Sequence, residues 1–167
     1  MSSIGSPWFW SVLASAHRNL NTLARRLEEM SREELLEYAA EYQEAMDEVD
    51  PYAFDEATWD RVSDAVEEAS MSEDGAEDYA IWVVSLGDGF FDEVSSAPER
   101  IATYFEAFEE AERGEGPNRW DLDVDRPEYR GWQDPVSIAS IVYQTRFGPA
   151  FFEDVEALRH RRDAQRS

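Results

Sequence analysis

The sequence predicts an all-α fold, and three observations carry that prediction. Apolar residues recur at steps of three and four through most of the chain, capping residues stand where these runs begin, and period-two alternation is confined to one short stretch. The expected architecture is a compact single-domain bundle of about seven helices, with one irregular or short extended segment near 117–133.

Ser6 with Pro7 opens the first run, in which Phe9, Val12, Leu13, Ala16, Leu20, Leu23, Ala24 and Leu27 form one apolar face; a single helix to Leu27 is expected. Ser31-Arg-Glu-Glu34 reads as a capping box for a second helix. Leu35, Tyr38, Ala39, Tyr42, Met46 and Val49 line its inner stripe, and Asp50-Pro51 stops it. A third helix turns Trp59, Val62, Ala65, Val66 and Ala69 inward. Ser72 caps a fourth through Tyr79, Trp82, Val83 and Leu86, with Gly87 placed to end it. A short fifth helix follows from Asp88 to Val94, and Pro98 starts a sixth through Ile101, Tyr104, Phe105 and Phe108 to about Arg113.

Character changes at Gly114-Glu-Gly-Pro117. Trp120, Leu122 and Val124 then alternate with aspartates, as in a short strand or an extended loop. Over 134–165, Asp134-Pro135 caps one helix and Gly148-Pro149 separates it from a last, whose Arg159, Arg161 and Arg162 suit a helix C-terminus. No internal repeat and no domain linker stands out, so 1–167 reads as one domain.

Composition narrows the function classes. Six Trp, seven Tyr and nine Phe supply large core pieces, and the absence of cysteine excludes disulfides, thiolate metal sites and cysteine nucleophiles. With no export signal and no run approaching the roughly 20 apolar residues of a membrane span, a cytoplasmic protein is expected. All 15 basic residues are Arg, against 38 acids, for a net charge of −23. Residues 28–115 hold 29 acids and four Arg, while 1–27 and 157–167 each carry +3. Such a field repels phosphates and anionic lipid, so direct nucleic-acid or membrane binding is not expected. The acidity can serve solubility, docking to a basic protein, or mimicry of DNA, in falling order of expectation.

Catalytic patterns are scarce. His17 and His160 are the only histidines, both read as surface residues, and neither belongs to a metal or nucleophile motif. Asp121-Leu-Asp-Val-Asp125 begins like a calcium loop, but Arg126 replaces the turn glycine and Trp132 the bidentate glutamate, so a solvated loop is expected. No metal or cofactor is therefore expected. Glu33, Glu37, Glu41, Glu44 and Glu48 crowd one helix; a solvated face tolerates their repulsion and an Arg-rich partner would relieve it. Trp120, Tyr129 and Trp132, with Arg119, Arg126 and Arg130 nearby, form a second candidate contact surface.

The pair Phe9-Trp10 and the run Ser31-Arg-Glu-Glu-Leu-Leu-Glu-Tyr38 resemble the opening of a bacterial family defined as domain of unknown function 4240. Trp59, Ser72-Glu-Asp-Gly75, Asp78-Tyr-Ala-Ile-Trp-Val-Val-Ser-Leu-Gly87, Ala97-Pro-Glu99 and Tyr104–Glu112 continue the likeness, which covers about Pro7 to Arg113. Ala80 stands where the family has an arginine, and Glu73 replaces one of its paired aspartates. The resemblance implies a helical fold and no particular activity. The functional expectation is a non-enzymatic acidic module, adaptor or immunity-type, docking a basic protein. Its alternatives are a carboxylate enzyme built on Glu73, Asp74 and Asp78, and a DNA mimic.

Overall fold

The computed structural model describes residues 4–131 and 133–167. Among them the regular elements are all helical: α1 (Pro7–Ser15), α2 (Leu20–Glu28), α3 (Arg32–Val49), α4 (Glu56–Glu68), α5 (Glu73–Ser85), α6 (Asp88–Ser95), α7 (Ile101–Glu112), α8 (Ser137–Phe147) and α9 (Phe151–Arg166). Three single 3-10 turns, Pro51–Ala53, Pro98–Arg100 and Pro127–Tyr129, each begin with proline, whose fixed φ suits the first position of a turn. The chain divides into two compact units, one built from residues up to Gln43 together with Asp121–Ser167, the other from Glu44–Trp120.

Nine helices stand among the described residues where about seven were expected; one is added because the first apolar run is two helices. His17 and Arg18 both take left-handed backbone, φ 49° and 56°, a conformation that costs a side-chain-bearing residue roughly 1–2 kcal/mol. Asn19 then caps α2, its side-chain oxygen accepting from the Thr22 N–H at 3.0 Å. The break is stitched from far along the chain: the Asp121 N–H donates to the Arg18 carbonyl at 2.7 Å, and the Leu20 N–H donates to the Asp121 carbonyl at 2.9 Å. This isolated bridge is all the β-pairing that the alternating segment makes among the described residues, so the segment is an irregular loop rather than a strand.

In the first unit α2 packs on α1 and α8, and α8 on α9. The rings of Phe9, Tyr38 and Tyr42 meet pairwise at centroid distances of 5.7–5.9 Å, and Leu20, Leu23, Leu27, Leu35 and Ile138 of the same unit are fully buried. Each such side chain contributes roughly 1.5–3 kcal/mol through burial. The Tyr38 hydroxyl is satisfied by the Pro135 carbonyl at 2.9 Å, fixing the entrance to α8. Gly5 is required where it stands: at φ +80°, a Cβ there would lie 2.5 Å from the Trp10 indole nitrogen.

In the second unit α4 packs on α7, and α5 on both α6 and α7. Tyr79 and Trp82 of α5 pack against Phe105 and Phe108 of α7, and Phe90 bridges Trp82 and Tyr104. Gly87, at φ +102°, turns the chain from α5 into α6. The loop after α7 folds back on α5, where the Trp82 indole donates to the Asn118 carbonyl at 2.8 Å and the Trp120 indole to the Ser85 carbonyl at 3.3 Å.

Asn19→Ala is expected to lower stability by about 1 kcal/mol, read as a shift in urea midpoint with an unchanged slope, because the α2 cap is lost while the apolar stripe is untouched.

Candidate functional site

The carboxylate ladder of α3 is the first candidate, and the structure corrects the expectation of one solvated acidic face. Glu33 and Glu48 are exposed, Glu37 is half-buried, and Glu41 and Glu44 are only 5% and 9% exposed. Glu41 accepts from both the backbone N–H and the hydroxyl of Ser6, at 2.9 and 3.0 Å. Arg162 of α9 donates to Glu37 at 2.6 Å and stands 3.9 Å from Glu41. One helical turn earlier, Arg159 donates to the Gln43 side chain at 3.1 Å. For Glu37 and Glu41 the arginine that relieves the ladder thus comes from the chain's own last helix. Ser6 belongs to the same network, since its hydroxyl also accepts from the Phe9 N–H as the cap of α1.

The aromatic candidates behave as core covers. Tyr129 is 4% exposed and donates to Glu28 at 2.6 Å; burial and that hydrogen bond push its phenol up to about 12. Arg126 pairs with the same carboxylate. Trp120 is half-buried over the end of α5, and Trp132 lies outside the described residues. The three aspartates of the 121–125 loop go separate ways. Asp121 holds the Asp123 N–H in a local turn, and Asp125 meets Arg25 at 3.3 Å. Among the described residues no group of three or more acids and histidines is arranged to hold a metal ion.

Glu73, Asp74 and Asp78 sit exposed in the first turns of α5, behind the Ser72 cap that accepts from the Gly75 N–H. Acids there complement the helix dipole. Their neighbours register them as repulsion. Asp50, half-buried, is raised above the ordinary carboxylate range mainly by burial, with Asp47 and Glu73 adding to it. Glu112 is raised by partial desolvation and by Asp78. Glu73 and Asp78 thus each add to the raised carboxyl of a neighbouring acid.

Charge also differs between whole units. The second unit carries 23 acids and four Arg, a net charge of −19, whereas the first carries 15 acids and 11 Arg, a net of −4. On α4, Glu56, Asp60, Asp64 and Glu68 repeat at four-residue steps and are all exposed, with Glu67 beside them. A four-residue step rises about 6 Å, so these carboxylates form a stripe roughly 18 Å long. Arg61, the one base on the helix, turns to Glu99 at 2.9 Å. On neighbouring α7, Glu106, Glu109 and Glu110 are exposed as well. The four-residue period of this stripe is plain in the sequence, where nothing distinguishes it from the ladder of α3.

A family model described as protein of unknown function (DUF4240) matches residues 8–143, thirty residues further than the likeness drawn from motifs, and so takes in α8 up to Tyr143. No curated protein and no solved structure matches the chain. Among the described residues no helix is long and apolar enough to cross a membrane.

Two outcomes follow from this geometry. Arg162→Met is expected to destabilise by about 3 kcal/mol, measured by urea unfolding, because Glu41 would stay buried with its cationic partner gone. The pH response should run opposite to that of a protein rich in paired acids. Asp50 and Glu112 have raised folded-state pKa values, so their contribution is full below the unfolded value and is lost as pH rises through the folded one. As pH falls from 7 through those raised folded-state values these two groups should add stability, and Asp50→Asn should reproduce part of that gain at pH 7 and flatten their share of the pH response of the urea midpoint.

Proposed function

The chain belongs to the family described as protein of unknown function (DUF4240), and from that premise we propose that it is a non-enzymatic interaction module whose acidic second unit docks a basic protein. The observation that carries this reading is the unequal use of charge. In the first unit Glu28, Glu37, Glu41 and Asp154 are each met by an arginine of the same unit. The acids along α4 and α7 face water, and three successive i,i+4 like-charge pairs on α4 each cost a few tenths of a kcal/mol. Surface acids that oppose folding while adding nothing to the core fit a role outside the fold, where an arginine- or lysine-rich surface would supply the missing counter-charge.

The two alternatives are supported less well. A carboxylate enzyme on Glu73, Asp74 and Asp78 would need an acid and a base whose environments separate their pKa values, and these three are exposed on one helix start. A DNA mimic would need two rows of charge, one for each strand and each with a charge about every 3.4 Å along the axis, and the α4 stripe is a single row with one about every 6 Å.

Asp60→Asn, Asp64→Asn and Glu68→Gln together remove all three like-charge pairs. The triple variant should gain about 1 kcal/mol in stability and lose most of its partner capture from the native host's extract at low salt. Wild-type capture should itself fade as salt rises. Undiminished capture by the triple variant, or no stoichiometric partner at either salt, would sink the docking reading.

A further inference from the structure

The second unit contains a small cavity between the end of α3, α5, α6 and α7, lined by Val49, Phe54, Tyr79, Val94, Ile101 and Tyr104, with Glu48 as its one carboxylate. Two of these residues pose an unmet demand. The Tyr79 side chain is fully buried and Tyr104 is 5% exposed. Neither hydroxyl has a hydrogen-bond partner among the described residues. Buried polar groups are nearly always paired, and leaving one unpaired shifts the folding equilibrium by roughly a factor of ten. The rest of the site offers no remedy, since aromatic rings surround Tyr79 on three sides, at Trp82, Phe105 and Phe108. The two phenols feel one another: burial first and Tyr104 second raise the Tyr79 phenol above its ordinary range.

We propose that this cavity is a binding site for a single ordered water molecule that bridges the hydroxyls of Tyr79 and Tyr104. Size decides the ligand. The space open to the centre of a water molecule is about 10 Å³, enough to admit a water and too small for an organic ligand. Polarity allows it as well. Each phenol can donate or accept, so a water can accept from one and donate to the other. The bridge ties α5 to α7 through polar contacts inside an otherwise aromatic core, where packing alone would not fix the rotation of either helix.

The sign of a tyrosine-to-phenylalanine exchange tests this. If the water is bound, Y79F and Y104F each raise the unfolding constant about five- to tenfold, because a satisfied hydrogen bond is lost. The double variant should then raise it by clearly less than the product of the two, because the first exchange already breaks the bridge. An unfolding constant that is unchanged or lowered in either single variant, or singles that multiply fully, would overturn the proposal. A second measurement needs only the wild-type chain. Long-lived water should give cross-relaxation to the methyl groups of Val49, Val94 and Ile101 in NMR spectra, and spectra lacking it would equally overturn the bridge.

Discussion

A carboxylate that is 95% covered, as Glu41 is, must be met by donors, and the first unit is organised around meeting it. The donors come from opposite ends of the chain. Ser6 supplies its backbone and hydroxyl at the start of α1, and Arg162 supplies a guanidinium from α9. Because the same serine caps α1 and the same arginine holds Glu37, one buried charge orients three helices. An equivalent link operates at the surface, where Asp154 of α9 accepts from both Arg32 and the Tyr143 hydroxyl, and these donors hold its carboxyl below the usual carboxylate range. Arg162 of α9 is thus a structural counter-ion for two carboxylates of α3.

The second unit has fewer counter-ions for its acids, with Arg61 paired to Glu99 and Arg113 to Glu115. With four arginines to 23 acids, it is held by its aromatic core: Tyr79, Trp82, Phe105 and Phe108 in mutual contact, with Phe90 and Tyr104 beyond. Apolar burial grows with area and is indifferent to charge at the surface, so a core of this kind tolerates repulsion that ion pairing would have to offset locally. This tolerance leaves α4 free to display its carboxylates. The same apolar surroundings make the two tyrosine hydroxyls inside the core conspicuous, since each needs a partner that the neighbouring rings cannot provide.

Much of the fold was legible along the chain, for local reasons. Ser6, Ser31 and Ser72 each accept from the backbone N–H three residues on, as their spacing implies. The apolar stripe of the first run, Phe9 to Leu27, is buried at every predicted position even though the helix breaks inside it. Periodicity reports which side faces the core, and it continues across the break because α2 resumes with its apolar side still inward. The break itself was not legible. Two left-handed residues without glycine at either position are held by hydrogen bonds to Asp121, more than a hundred residues away. Tyr129 was ambiguous for a similar reason, since its burial depends on Glu28 across the fold.

The sequence by itself determined the helical class, the caps, the core-facing residues and the overall excess of acid, because each depends on spacing or composition within a few turns of chain. Which acids remain available was decided only by the tertiary structure. Glu37 and Glu41 look no different in sequence from Asp60 and Asp64: all lie at four-residue steps on amphipathic helices. The first two are engaged because α9 brings Arg162 against them, and the second two stay open on α4. Local sequence specifies where a charge sits on its helix; its partner is specified by a chain segment that arrives only on folding.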